Sequence, residues 1–403
     1  MEAATVTPGE VIFSNQKAPA GILVGVSAGY YIPRGSASPS SSVSVFAAGS
    51  LEYSLGDHFN PYFRNSTGIS VGSTFSGSVS GARNVQSGIH YDVFVSASAA
   101  VIPSLLMPNY TDWMVIFASN EMAITWLNPS YNIPVGAFWF ENITSPGVTV
   151  AASTSQLDPS GFQAIEMIKL AGLLYTGWNN PSYGAYVKEA FGNNFSAYMK
   201  YNTAWNSWFG KEGYLEKHNY GGNYSNNDSL ALYDQIFLYM LSKGETKLTT
   251  VEIGLDGLLA AGTADYALTY KSQAVNQGLS YFKNSDGGNG LSSWINLGNI
   301  SESHVEFYQM VNSTGPTTPD DNIGNLPGAP ILYAATVLNG TANTQAAYSY
   351  IYYLITESGQ KFLANSDFDP LPVAFGFNIP YIPASLSSAI VPIPSYMPQS
   401  AYV

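Results

Sequence analysis

The stretch "VSVFAAGSLEYSL" (Val43–Leu55) starts as a β-branched and aromatic run, stops at Ala-Gly-Ser, and turns amphipathic at once. That change of period predicts a strand running directly into a helix. The alternation continues downstream. "LEYSLGDHFNPYFRNS" (Leu51–Ser66) reads as an amphipathic helix and "GISVGSTFS" (Gly68–Ser76) as a strand. "SVSGARNVQSG" (Ser78–Gly88) reads as a helix ending at Gly, and "YDVFVSAS" (Tyr91–Ser98) as a buried strand. The βαβαβ order predicts a parallel sheet in an α/β fold.

Further along, "WMVIFASNEMAITWL" (Trp113–Leu127) is extended for long enough to cross between two lobes. "DPSGFQAIEMIKLAGLLYTGW" (Asp158–Trp178) carries a strong helix start, with Asp158 as cap and Pro159 at the first helical position. Residues 179–228, rich in Asn, Gly, Tyr and Trp, read as an insertion with short helices. Helices are expected over Ser229–Lys243, Val251–Ala261 and, as one long element, Ala342–Asn365. Strands are expected at "ADYALTY" (Ala264–Tyr270) and "APILYAATVL" (Ala329–Leu338). The Pro-rich tail after Asp369 is expected to wrap the surface. Residues 1–42, Pro-, Ser- and Gly-rich with one strand signal at Ile22–Tyr31, read as an arm or linker.

Composition narrows the function. Only 10% of the 403 residues are charged, against about 25% in an ordinary soluble domain, and the net charge is −13 with 14 Lys+Arg. That leaves no basic footprint for nucleic acid. Cysteine is absent, which removes disulfides, thiolate metal sites and catalytic thiols. Asn-X-Ser/Thr sequons occur at Asn65, Asn109, Asn142, Asn194, Asn223, Asn227, Asn299, Asn312 and Asn339. Together with scarce charge they point to a glycosylated extracellular or cell-surface protein, in a style that resembles secreted proteins of thermoacidophilic archaea. "AGILVGVSAGYYI" (Ala20–Ile32) is too short and Gly-rich to span a bilayer, and no signal peptide with a basic start is visible, so a signal or anchor is expected to be missing from this chain.

Three strand-to-helix junctions carry small polar residues: Gly49-Ser50, Gly77-Ser78 and Ser160-Gly161. A helix start offers free N–H donors and a partial positive charge, Gly admits close approach, and Ser adds a hydroxyl. Taken singly, each junction is an ordinary helix cap. Three converging outside the carboxyl ends of the strands would bind a tetrahedral oxyanion without Arg or Lys.

These residues carry a family resemblance. "VFAAGSLEYSL", "FSGSVSGAR", "YDVFVSASAAVIPSLLMPNYTDWMVIFASNEMAI" and "LDPSGFQAIEMIKLAGLLY" resemble the archaeal tungstate/molybdate-binding proteins, the substrate-binding components of ABC importers. "ADYALTYKSQAVNQGLSY", "WINL", "APILYAATVL" and "TESGQKFL" fit the same family. The resemblance covers about Val43–Pro370. It implies a two-lobed, periplasmic-binding-protein-like (type II) fold closing about a hinge, with no enzymatic chemistry and no cofactor. Lobe one would comprise 43–120 and 273–403, and lobe two 121–272 with the insertion inside it. Ser50 and Ser78, with the amides of their Gly49 and Gly77 junctions, would grip the anion from lobe one. Asp158 and the Ser160 and Gly161 amides would grip it from lobe two, with Thr269 and Tyr270 closing the pocket. The implied partner is an ABC permease.

The family also brings two carboxylates to the metal of the oxyanion, giving it six-fold coordination. Asp158 matches the first. The second, a Glu, is expected around "GTADYALTY", where Thr263 and Thr269 hold the candidate positions and Asp265 matches a different one. A carboxylate beside a dianion repels it unless it binds the metal or accepts a proton. With Asp158 alone, the anion would bind as a plain tetrahedron, or hydrogenphosphate would donate its proton to Asp158. Phosphate or sulfate binding, and recruitment of the fold as a surface assembly protein with contacts through the arm and insertion, are the alternatives.

Other signals carry less. "GISVG" (Gly68–Gly72) matches G-x-S-x-G but lies in a strand pattern rather than at an elbow. His58, His90, His218 and His304 show no ligand spacing. The aromatic residues of the insertion read as a small core or contact surface rather than a stacking platform.

Overall fold

The computed structural model describes residues 42–127, 138–145, 147–209, 246–249, 252–283, 291–313 and 326–397. The strands among them are β1 (Ser42–Ala48), β2 (Ser70–Ser76), β3 (Val93–Ser96), β4 (Met114–Asn120), β5 (Met122–Trp126), β6 (Val150–Ser153), β7 (Thr246–Thr249), β8 (Tyr266–Tyr270), β9 (Ser280–Tyr281), β10 (Ile331–Val337), β11 (Asp369–Phe377) and β12 (Ile390–Pro392). They form a seven-stranded sheet, ordered β12-β11-β4-β10-β3-β1-β2, and a five-stranded sheet, ordered β7-β6-β8-β5-β9.

Side-chain alternation sets the layers of the larger sheet. Val43, Val45 and Ala47 of β1 enter one apolar cluster and Phe46 another. Val93 and Val95 likewise oppose Phe94, and Val115 and Phe117 oppose Met114 and Ile116. Successive residues face opposite sides of a strand, so the centre of this sheet is buried on both faces, while its edge strands β2 and β12 carry no buried residue. Helix α1 (Asn60–Thr67) continues a helical run that begins at Gly49, through a wide π-helical segment at Glu52–Phe59. Helix α2 (Ser78–Gln86) lies on Phe46, and a Cβ at Gly81 would stand 2.0 Å from that ring.

Several expectations change. β2 and β3 pair with β1 in parallel, but β10 pairs antiparallel with both β3 and β4, so the sheet is mixed. The Pro-rich tail does not merely wrap the surface: β11 joins β4, with an irregular register between Pro370 and Phe375. Pro370, opposite Ala118, is the last paired residue before the ladder is interrupted and Pro372 falls within the interruption, so the missing N–H groups cost little. The long helix over 342–365 is two, Thr344–Ile355 and Glu357–Asn365, because Thr356 is extended (φ −102°, ψ −179°). Gly359 makes that break compact, since a Cβ there would meet the Leu354 carbonyl oxygen at 2.1 Å.

The crossing occurs at Glu121. β4 ends in the larger sheet at Asn120, and β5 begins in the smaller one at Met122. β9 also belongs to the smaller sheet, through Trp126–Ser280 and Thr125–Tyr281, so that sheet extends past the boundary expected at Ser272. Glu121 is clasped there by Lys271 Nζ at 3.1 Å and Asn296 Nδ2 at 2.7 Å.

Helices α3 (Trp139–Ile143), α4 (Pro159–Thr176), α5 (Gly184–Ala190) and α6 (Phe195–Phe209) follow. α4 is buried from Pro159 to Tyr175, an all-round interior helix. Its Gln163, Glu166 and Lys169 form an i, i+3 polar stripe. Gln163 accepts from Tyr270, and Lys169 Nζ donates to the Asn312 carbonyl and side chain at 3.1 Å each. In the insertion, Trp205 packs 4.8 Å from Phe140 and 5.2 Å from Tyr175, so these aromatics build a core. The helix expected at 229–243, the strand signal at 22–31 and the rest of the arm lie outside the described residues.

Candidate functional site

Asp158 caps α4 as its sequence predicts. Oδ1 accepts the Ser160 N–H at 3.2 Å, and the Asp158 carbonyl accepts the Gly161 N–H at 3.2 Å. The two amides expected to grip an anion are therefore engaged by Asp158 itself, because a helix start satisfies its own donors first. Ser160 Oγ lies 2.5 Å from Ser153 Oγ. Gly161 serves close packing: a Cβ there would stand 2.5 Å from Ser155 N and 2.6 Å from the Ser153 carbonyl oxygen.

The other Asp158 oxygen, Oδ2, accepts the backbone N–H of Glu252 at 2.6 Å. Glu252 opens a short 3-10 turn (Glu252–Gly254) ahead of the helix Leu255–Ala260 and is 1% exposed. Its Oε1 accepts the Ser50 N–H at 2.6 Å, while Oε2 has no hydrogen-bond partner among the described residues. Burial, reinforced by the Asp158 charge, pushes its carboxyl well above the usual range and favours the protonated form. Glu252 is thus a buried acid beside Asp158, and it lies outside the stretch "GTADYALTY" in which the second acid is expected and where Thr263 and Thr269 hold the candidate positions. Thr263 is exposed, with Oγ1 donating to the Leu258 carbonyl. Thr269 is buried and its Oγ1 lacks a partner among the described residues.

From the larger sheet, the β1 end delivers Gly49 and Ser50. A Cβ on Gly49 would meet Ile253 Cδ1 at 2.7 Å and Glu252 Oε1 at 2.9 Å, so only glycine lets the two sides approach this closely. Ser50 Oγ lies 2.7 Å from the Tyr333 hydroxyl, and Asn120 Nδ2 donates to that hydroxyl at 3.2 Å. The second junction, Gly77-Ser78, caps α2. Ser78 Oγ accepts the Ala97 N–H at 3.0 Å, and the neighbouring Ser80 N–H reaches the Leu157 carbonyl at 3.0 Å. The ends of both sheets are therefore bridged at Ser80–Leu157 and at Ser50–Glu252. Tyr270 is fully buried and donates to Gln163 Oε1 at 2.7 Å, so it is a core strut rather than a lid.

Among the sequons, Asn65, Asn109, Asn194 and Asn339 are exposed, and Asn299 and Asn312 are half-buried. Asn142 is 8% exposed with Nδ2 donating to the Phe138 carbonyl at 3.0 Å, which makes it unfit to carry a glycan. Asn223 and Asn227 lie outside the described residues. His304 is held between Ser293 and Ser301 and stacks on Trp294 at 3.9 Å.

Residues 43–368 match the family model described as bacterial extracellular solute-binding protein. The chain is 53% identical over 393 residues to the uncharacterized solute-binding protein Ta1052 of Thermoplasma acidophilum, covering 95% of this chain and 94% of the relative. It is 30% identical over 353 residues to the molybdate/tungstate-binding protein WtpA of Thermococcus kodakarensis, covering 83% and 84%. Among solved structures it is similar to the periplasmic molybdate-binding protein of Azotobacter vinelandii, at 13% identity and a TM-score of 0.46, covering 82% of this chain and 99% of that one.

Proposed function

This chain belongs to the bacterial extracellular solute-binding protein family, and we propose that within it the protein captures tungstate or molybdate outside the cell and presents it to an ABC permease. The observation that carries the reading is the buried Asp158–Glu252 pair set against the Ser50 N–H. Sulfate cannot expand its coordination and carries no proton at neutral pH, so the Asp158 carboxylate repels it and Glu252 can face it only in its protonated form. A tungsten or molybdenum centre can accept two carboxylate oxygens as further ligands, which turns the repulsion into bonding. Donors for the oxo groups come from the Ser50 amide and hydroxyl and from the Ser78 hydroxyl. The WtpA relative, a molybdate/tungstate-binding protein by name, supports the same choice of anion.

Capture is then closure. The Ser50–Glu252 and Ser80–Leu157 bridges part about the Glu121 crossing, the anion enters between the ends of the two sheets, and the sides close again with the anion in place of Glu252 on the Ser50 N–H. Calorimetric titration of dialysed protein tests the reading: tungstate and molybdate bind tightly, and sulfate and phosphate bind at least about 100-fold more weakly, a gap of about 2.7 kcal/mol. Equal affinities, or no tungstate binding, refute it.

A further inference from the structure

Asn120 and Tyr333 form a chain of hydrogen bonds whose direction is set at the sheet crossing. The backbone N–H of Glu121 can only donate, and Asn120 Oδ1 accepts it at 2.9 Å. That fixes the amide orientation, so Nδ2 faces Ser272 Oγ at 2.8 Å and the Tyr333 hydroxyl at 3.2 Å. Nδ2 can only donate as well. The phenolic proton then has Ser50 Oγ, 2.7 Å away, as its acceptor. Once Ser50 Oγ accepts that proton, the serine's own proton is left to point elsewhere. The Tyr333 ring is immobile: it is 0% exposed and packs edge-on against Phe368, Tyr270 and Phe117.

We propose that Tyr333 is a positioning residue that, by occupying one lone pair of Ser50 Oγ, turns the serine proton toward the bound anion, favouring oxygens that only accept over protonated ones such as that of hydrogenphosphate. The inference rests on the oxyanion site proposed above. It extends that site by a residue that does not touch the ligand, and it ties ligand recognition to the crossing, because Asn120 also holds Ser272 of the helix Lys271–Asn276.

The test is a double-mutant cycle read by tungstate and phosphate titration of the full chain. Tyr333→Phe removes one oxygen, and is expected to weaken tungstate about 10-fold while weakening phosphate about 2-fold or less. In a Ser50→Ala background the same change is expected to cost tungstate less than about 2-fold, since nothing remains to be oriented. Tyr350→Phe is the control for losing a buried phenol bond: its hydroxyl donates to Asn60 Oδ1 at 2.8 Å, and its loss leaves affinity unchanged. Equal losses with and without Ser50 would mean a structural role and overturn the inference. So would an unaltered Tyr333→Phe affinity alongside a Ser50→Ala loss, with the oxyanion site left standing. If the wild type itself ignores tungstate, the site reading and the inference fail together. Should Tyr333→Phe not fold, Asn120→Ala probes the same chain: a loss of about 3-fold in tungstate affinity, only when Ser50 is present, supports it, and a loss independent of Ser50 refutes it.

Discussion

Glu252 Oε1 occupies the Ser50 N–H at 2.6 Å, the donor that the proposed function assigns to an anion oxygen, while its own N–H is tied to Asp158. One side chain from the smaller-sheet side thus stands in for the ligand on the larger-sheet side. On the proposed function, an anion would have to displace it, and the proton Glu252 favours would have to leave or move for its carboxylate to bind the metal.

Glu252→Gln keeps the acceptor for Ser50 and removes the buried acid. Tungstate affinity is expected to fall at least about 10-fold, because a neutral amide is a poor ligand, while unliganded stability is kept or raised by about 1 kcal/mol. Thermal melts and titration of the variant read both. A large loss of stability would show that the carboxyl is structural instead.

Stability of the unliganded protein should fall as pH rises. Burial, and then the Asp158 charge, raise Glu252; burial raises Glu166, opposed by Lys169; burial lifts Asp256 to about 6. In each case the folded state binds more protons than the unfolded one. The stabilisation is complete below the ordinary carboxyl range near 4.3 and is lost as pH climbs through the raised values. Melting temperatures across pH 4 to 8, approximately, should decline, and Glu252→Gln should flatten the decline. A steady rise over that range would contradict the account.

Two glycines should respond differently to alanine. At Gly49 the added methyl meets Ile253 and Glu252 across the site, so the sides can stay apart. The expected cost is under about 1 kcal/mol of stability with a loss of tungstate affinity of about 10-fold or more. At Gly161 the methyl meets backbone of the same lobe at 2.5 Å, which cannot retreat, and about 2–4 kcal/mol of stability is expected to go. Melting and small-angle scattering with and without tungstate separate the two outcomes.

In a glycosylating host, glycopeptide mass spectrometry should find Asn65, Asn109 and Asn339 occupied and Asn142 bare. Occupancy at Asn142 would require the Phe138–Asn142 turn to open, since Nδ2 is its donor.

Local signals were legible in the sequence and long-range ones were not. The β1 run, the Gly49-Ser50 junction and the Asp158-Pro159 helix start depend on neighbours within a few residues, and each stands where its pattern puts it. Glu252 was missed because its role comes from an approach across 94 residues of chain to Asp158 and 202 to Ser50. Its one local sign is that of an acid immediately before the mostly apolar stretch "IGLDGLLAA", which carries a second acid at Asp256. Thr356 breaks a helix that its periodicity would continue, and Pro370 enters a strand that propensity would forbid. In both places tertiary packing outweighs local preference.

The most direct measurement of the central claim is an anomalous difference map of crystals grown with tungstate, collected at a tungsten edge. One strong peak between the Ser50 amide and the carboxylates of Asp158 and Glu252, with both carboxylates bonded to the metal, is the predicted result. No peak there, or a peak elsewhere on the molecule with Glu252 still holding the Ser50 N–H, would contradict it.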